Sequence, residues 1–229
     1  MTIKLGIPSK GRLMADTFDW FGARGVTITR TGTDREYAGR VDGVDGVELV
    51  LLAAGEIPRE LAAGRIHLGV TGSDVVQEKI ARWDTKIAPL APLGFGHADL
   101  VLAVPNTWTD VRDLSDLDAV ADAFRRTHGF RLRIATKYHR LVRAHLKAAG
   151  VASYQLVDSQ GATEGTVANL TAEAIADITS TGATLDANHL KVIGDVMHHS
   201  QATLFQSLTA DLSSKDKGFL NDLRAKISV

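Results

Sequence analysis

The sequence predicts an α/β protein folded as two lobes joined by crossing strands. Three observations carry that prediction. Short apolar runs of strand length alternate with segments of helical pattern for most of the chain, and strand–helix–strand repetition implies an α/β fold. Several runs, Val47–Ala53 among them, lack strict polar alternation, which suits strands covered on both faces in a parallel sheet. The style changes after Gly94-Phe-Gly96, where the long apolar run Ala98–Val104 begins. Crossing strands near residues 95 and 196 divide the chain into lobe I, residues 1–94 plus about 196–229, and lobe II, residues 95–195.

Each element follows from its local pattern. Ile3–Ile7 is a strand, and Leu13–Arg24 is a helix closed by Gly25. Val47–Ala53 is a strand, Pro58–Gly64 a short helix and His67–Thr71 another strand. Ser73–Trp83 reads as a helix with Ser73 as its N-cap, because a Ser hydroxyl satisfies a free N–H of the first turn. In lobe II, Ala98–Val104 is a strand, Leu117–Arg126 a helix, Arg131–Ala135 a strand and Tyr138–Lys147 a helix stopped by Ala149-Gly150. Tyr154–Val157, Ala174–Ile178 and Lys191–Val196 are three further strands. Ala202–Leu208 follows, and Lys215–Lys226 is an amphipathic helix. No internal repeat, low-complexity tract or Pro/Gly/Ser linker interrupts this order.

Composition narrows the function classes. The 229 residues are 45% apolar and 23% charged, ordinary for a globular protein and enough to bury a sizeable core. With 26 basic and 27 acidic residues the formal net charge is −1. Such a balance exerts no long-range pull on nucleic acid or an anionic membrane, so any anionic ligand must be held by local geometry. The absence of Cys excludes disulfides, thiolate nucleophiles and Cys-rich zinc sites. Met1-Thr-Ile-Lys-Leu-Gly-Ile-Pro8 lacks the apolar core and cleavage site of a secretory signal. No apolar stretch reaches the ~18 residues of a membrane span. A cytoplasmic location is the expectation.

The most informative segment is Ala174–Leu185. An apolar strand carries Asp177 near its end and opens into Thr179-Ser-Thr-Gly-Ala-Thr184, six small residues of which four bear hydroxyls. Such a loop turns backbone N–H groups inward, and a phosphate accepts from several at once. Gly182 lets the backbone approach a ligand closely, and a carboxylate just before the loop suits ribose hydroxyls. The residues alone leave a second reading open, a strand–turn–helix junction with a Thr N-cap.

The stretches Gly161-Ala-Thr-Glu164 and Ala174-Ile-Ala-Asp-Ile-Thr-Ser-Thr-Gly-Ala-Thr-Leu-Asp-Ala-Asn-His-Leu190 resemble the signature of the ATP phosphoribosyltransferase family. Pro8-Ser-Lys-Gly-Arg-Leu13, Leu68-Gly-Val-Thr-Gly-Ser-Asp74, Leu93-Gly-Phe-Gly96 and Arg133-Ile-Ala-Thr-Lys-Tyr138 also match, in the family's order over nearly the whole chain. The two lobes then amount to a periplasmic-binding-protein-like (type II) architecture. The resemblance implies that the chain joins N1 of ATP to C1 of phosphoribosyl pyrophosphate, releases pyrophosphate and opens histidine biosynthesis. Displacement at an anomeric carbon passes through an oxocarbenium-like state. No protein nucleophile is needed, and the catalytic work is positioning and charge stabilisation. Magnesium is the expected cofactor, held mainly by the pyrophosphate oxygens, with Asp177 as a candidate protein ligand.

The resemblance also distributes roles. Thr179, Ser180, Thr181, Gly182, Ala183 and Thr184 form the donor-binding loop, with the 5′-phosphate cradled at Thr181–Thr184. Glu164 and Asp177 face the ribose hydroxyls or the metal; otherwise Glu164 is solvated and Asp177 is a turn residue. Ser9, Lys10 and Gly11 follow the first strand, at the end of a parallel strand where α/β folds bind ligands, and are assigned to the nucleotide. Lys10 and Arg12 are the candidate catalytic cations. Thr71 and Gly72 line the nucleotide site or cap a helix. Lys137 neutralises a phosphate, while Tyr138 stacks or packs. Arg143 reads as a solvated surface residue, and the sequence does not choose among Arg30, Arg35, Arg40 and Arg59 for pyrophosphate. His198-His199 reads as structural, because adjacent strand residues point to opposite faces.

Some positions depart from the family pattern. Leu51-Leu-Ala-Ala-Gly-Glu-Ile-Pro58 has Ala53 where the family carries Arg and Glu56 where it carries Asp, leaving Arg59 as a substitute catalytic cation. His67 stands at a frequent Asp and Leu170 at a Gly. The length resembles the family's short form, which works with a separate regulatory subunit related to histidyl-tRNA synthetase. A homodimer within a hetero-oligomer is therefore expected. Two rivals remain. A two-lobed small-anion binding protein would share the architecture. A purine-salvage phosphoribosyltransferase would carry two adjacent acidic residues before its Thr-Gly loop, whereas Asp177 is flanked by Ala176 and Ile178.

Overall fold

The structure is a computed structural model and describes residues 2–31, 38–159 and 161–228. Arg35 lies outside the described residues. The first stretch holds β1 (Ile3–Pro8), α1 (Gly11–Gly22), β2 (Thr27–Thr31), β3 (Ala38–Asp42), β4 (Val47–Leu52), α2 (Ile57–Ala62), β5 (Leu68–Gly72), α3 (Ser73–Lys79) and β6 (Ile87–Pro92). Then come β7 (Ala98–Pro105), α4 (Leu114–His128), β8 (Leu132–Thr136), α5 (His139–Ala148), β9 (Tyr154–Asp158), α6 (Gly165–Ala168), β10 (Ala174–Thr179), α7 (Ala183–Ala187) and β11 (Leu190–Ser200). The last two are β12 (Ala202–Ser207) and α8 (Ser214–Ile227). The chain divides into two compact units, one of Met1–Gly96 with Gln201–Val229 and one of His97–Ser200.

The first unit is built on a five-stranded sheet in the order β4-β1-β5-β12-β6. β4, β1 and β5 run parallel, and β12 is antiparallel to β5 and β6. Ile3, Leu5, Ile7, Leu68 and Val70 are buried in it together with Phe21 of α1 and Leu223 of α8. Each such side chain contributes roughly 1.5–3 kcal/mol on burial. The edge strand β6 carries Pro89 and Pro92, and an edge tolerates Pro because one side of the strand needs no ladder bond. A separate hairpin pairs β2 with β3.

The second unit has a five-stranded sheet in the order β11-β7-β10-β8-β9. β10, β8 and β9 are parallel, while β7 is antiparallel to both β10 and β11. Leu100, Leu102, Leu117, Leu132, Ile134, Val142 and Leu146 fill the core between this sheet and its helices. α4 opens with a capping box in which Asp113 accepts from the N–H groups of Ser115 and Asp116, and Asp116 accepts from Asp113 N–H.

Three local expectations are corrected. α3 begins at Ser73 itself, with Gly72 in the capping position and no side-chain cap bond, so Ser73 is not the N-cap. That helix stops at Lys79, and Trp83 lies in a separate 3₁₀ turn, Trp83–Thr85, entered through left-handed Arg82. β11 extends past Val196 to Ser200, because a bulge between Ile193 and His198 restores pairing with β7.

Candidate active site

Parallel pairing gathers the second unit's candidate residues along one sheet edge. β8, β9 and β10 end there at Thr136, Asp158 and Thr179. The antiparallel β7 starts at the same edge, with Asp99 opposite Thr179. Lys137, Glu164 and the loop Thr179–Thr184 therefore lie in the segments that leave this edge. Glu164, half-exposed, stands just before α6, which packs against β10.

Beyond Thr179 the chain makes a tight turn. Gly182 has φ +78° and occupies the N-cap of α7, whose first helical residue is Ala183. Gly182 N–H donates to Thr179 Oγ1 at 2.9 Å, Ala183 N–H to Thr181 Oγ1 at 3.3 Å, and Ser180 Oγ to the His97 carbonyl at 3.0 Å. A Cβ added at Gly182 would meet nothing within 4 Å. Glycine is thus required by the left-handed backbone, and the space beside it is open to a ligand. The Thr N-cap expected for a plain strand–turn–helix junction is not formed, since Gly182 occupies that position without a side-chain cap bond.

Just before the loop, Asp177 is largely buried and meets the Lys137 ammonium at 3.2 Å. Its Oδ1 also accepts from Ile178 N–H at 2.8 Å. The pair forms because Ala176 lies opposite Thr136 in the β10–β8 register. Thr136 is buried and accepts from Tyr138 N–H at 2.9 Å, and Tyr138 packs into the core. Arg143 is exposed.

The ends of β1, β4 and β5 form the corresponding edge of the first unit. A cavity of about 550 Å³ there is lined by Ser9, Lys10, Leu51, Leu52, Ala53 and Glu56. Among these residues Lys10 carries the only positive charge. Ser9 is buried, while Lys10, Gly11 and Arg12 are exposed. Glu56 Oε2 accepts from Ala53 N–H at 3.1 Å and so closes the loop after β4. Thr71 is fully buried and its hydroxyl donates to the Ala54 carbonyl at 3.0 Å, so its side chain braces that loop rather than facing a ligand. Gly72 is half-exposed. Arg59 is exposed on α2 and is not part of the cavity wall. Arg40 is engaged by Asp42 at 2.9 Å.

A model of the ATP phosphoribosyltransferase family matches residues 53–228. An ATP phosphoribosyltransferase of Cereibacter sphaeroides is 73% identical over 93% of this chain and 91% of its own length. The chain belongs to the ATP phosphoribosyltransferase family. Other family relatives, 47–49% identical, are longer, and the chain spans 64–66% of their length. Among solved structures, an ATP phosphoribosyltransferase HisG:HisZ complex from Thermotoga maritima matches with a TM-score of 0.73 at 21% identity, covering 99% of both chains. An ancestral arginine-binding protein matches with a TM-score of 0.55 at 11% identity over 99% of this chain and 91% of its own. Both likenesses concern the fold, which is two-lobed and periplasmic-binding-protein-like. The family's reaction transfers the phosphoribosyl group to N1 of ATP, the first step of histidine biosynthesis.

Family membership makes the departures interpretable. Leu170, at the signature's Gly position, has φ +56° and is 80% exposed. The backbone there is left-handed, which costs a residue with a Cβ roughly 1–2 kcal/mol. The neighbouring carbonyl is nevertheless fixed, because Arg133 Nη2 donates to Leu170 O at 3.0 Å. Arg133 also grips Glu173, with Nη2 to Oε1 at 2.5 Å and its backbone N–H to Oε2 at 2.8 Å. Burial pushes the Glu173 carboxyl up, but these hydrogen bonds outweigh it and hold the group below the usual carboxylate range. At the family's Asp position, His67 Nδ1 accepts from Lys4 N–H at 3.0 Å, the task a carboxylate oxygen would perform. Sequence patterns gave no signal for the His97 carbonyl, a main-chain group, or for the Asp99–His199 contact at 2.7 Å.

Proposed function

We propose that this chain catalyses the family reaction with Thr179–Thr184 as the donor-binding loop, the donor's 5′-phosphate being cradled at Thr181–Thr184. The observation that carries the reading is the exposed turn at the end of β10, with left-handed Gly182 at the start of α7 and Asp177 immediately upstream. The N–H groups of a first helical turn have no intrahelical acceptor and suit a phosphate, which would replace the Thr179 and Thr181 hydroxyls that Gly182 and Ala183 N–H meet here. Thr181, Ala183 and Thr184 are exposed around them.

In this reading Asp177 and Glu164 accept from the ribose hydroxyls, and Lys137 moves from Asp177 toward a phosphate when substrates bind. Ser9, Lys10, Gly11 and Gly72 serve the nucleotide, and Lys10 with Arg12 stabilises polyphosphate charge. Because the family's Arg is replaced by Ala53 on the cavity that Lys10 lines, Lys10 is the stronger candidate for the catalytic cation and Arg59 the weaker. No cluster of three or more His, Asp or Glu that would cage a metal occurs among the described residues. The donor set fits a magnesium ion carried mostly by substrate oxygens, with Asp177 as protein contact. Bound there, it would supply charge neutralisation at the departing pyrophosphate. The protein's own contribution is orientation: N1 of ATP is aligned with the anomeric carbon while the cradle holds the ribosyl end.

A homodimer joined to a separate regulatory subunit resembling histidyl-tRNA synthetase is part of the proposal. The separate partner is supported by the Thermotoga protein's description as a HisG:HisZ complex. A cytoplasmic location is also proposed; no helix among the described residues is long and apolar enough to cross a membrane.

Mixing the purified chain with ATP, phosphoribosyl pyrophosphate and magnesium should give a donor-dependent rise in ultraviolet absorbance as the N1 adduct forms. The absence of any rise, with the chain alone and with its partner, contradicts the enzyme reading. Calorimetry then separates it from the two-lobed small-anion binding protein, which takes one ligand without turnover or magnesium.

A further inference from the structure

The four hydroxyls of the donor loop are of two kinds. Thr179 Oγ1 accepts Gly182 N–H and closes the turn. Ser180 Oγ is directed away from the turn, donating to the carbonyl of His97, 83 positions earlier in the chain. His97 immediately precedes β7, and the register of β7 against β10 places Asp99 beside Thr179. Asp99 is in turn held by His199 of β11, with Nδ1 to Oδ1 at 2.7 Å and the two residues opposite each other in the β7–β11 ladder. The strand end that offers the His97 carbonyl is therefore braced on both sides. Thr181 and Thr184 differ. Both are exposed. Thr181 Oγ1 accepts from Ala183 N–H and donates to none of the described residues, so its proton is available to a ligand.

We propose that Ser180 is a positioning residue that fastens the donor loop to the strand end at His97, just before β7. The inference rests on the phosphate-cradle reading. A cradle made of backbone N–H groups holds a phosphate well only if those groups are already oriented, because ordering them on binding subtracts from affinity. Losing the anchor therefore weakens donor capture and leaves the bound geometry, once formed, intact. One neutral hydrogen bond of ordinary net strength corresponds to about a three- to tenfold change in an equilibrium constant.

The test combines amide hydrogen exchange on the ligand-free full chain with steady-state kinetics. Ser180→Ala should speed exchange of the amides of residues 180–184 before any ligand is added. It should also raise the KM for phosphoribosyl pyrophosphate about three- to tenfold, leaving kcat and the KM for ATP close to wild type. Ser180→Thr should restore both readouts. Thr184→Ala should weaken donor binding without altering ligand-free exchange. Unchanged exchange in ligand-free Ser180→Ala overturns the anchor, whether the donor KM rises, which would make Ser180 a ligand contact, or stays put. If wild type shows no turnover, the function reading fails, and the exchange comparison still decides the anchor.

Discussion

The two units equip the ends of their parallel strands differently. In the His97–Ser200 unit the edge offers a glycine turn, exposed hydroxyls and helix-opening N–H groups, and Lys137 there is paired with Asp177 at 3.2 Å. In the other unit the edge offers exposed Lys10 and Arg12 beside an open cavity of about 550 Å³. The first arrangement is directional, since N–H dipoles fixed by a backbone select a tetrahedral anion by geometry. The second is less selective, because flexible ammonium and guanidinium groups adapt to anions of different shape. On the proposed reading, a chain of net charge −1 would hold its two polyanions by local geometry and not by a globally basic surface.

Substitutions should separate the two modes. The largest effect is expected for Gly182→Val. A β-branched residue resists φ +78°, so the turn opens. Donor-dependent turnover should fall by about a hundredfold or more, while circular dichroism shows a folded chain. Lys10→Ala should lower kcat/KM by roughly ten- to a hundredfold and leave donor affinity nearly unchanged, with Lys10→Arg retaining part of the rate. A comparable loss of donor affinity in Lys10→Ala would erase the distinction drawn between the edges.

Stability effects are smaller and lie away from both edges. Arg133→Ala leaves the Glu173 carboxylate without its main partner and should cost about 1–3 kcal/mol in denaturant unfolding. The Glu173 carboxyl is held below its ordinary value when folded. Its pairing therefore contributes stability above the unfolded carboxylate range, and that contribution is lost as pH falls through the folded value. Wild type should lose stability on acidification in this range, and Arg133→Ala should lose less. The smallest effect is expected for Leu170→Gly. Relief of the left-handed strain exceeds the added unfolded-state freedom, for a net gain of about 0.5–1 kcal/mol.

Legibility in the sequence followed burial. β1, β7 and β10 showed as apolar runs because neighbouring strands and helices cover them, whereas β4, read as covered on both faces, is an edge strand that buries only Leu49 and Leu51. β2 did not, because Thr27-Ile-Thr-Arg-Thr31 buries only Ile28. β6 was masked by Pro89 and Pro92, which only its edge position permits. The turn at Thr179–Thr184 was visible because its glycine and hydroxyls are local in sequence. Its supports were not: the His97 carbonyl has no side-chain signature, and Lys137 reaches Asp177 only through the β8–β10 register. Leu170 could be flagged as a departure, but its consequence needed the sign of φ.

The most direct test of the account is to titrate the isotope-labelled chain with ribose 5-phosphate and follow every backbone amide by NMR. The cradle predicts that the largest shifts fall on Thr181–Thr184, with smaller ones at Asp177 and Lys137. Shifts concentrated at Lys10–Arg12, with Thr181–Thr184 unmoved, would contradict it.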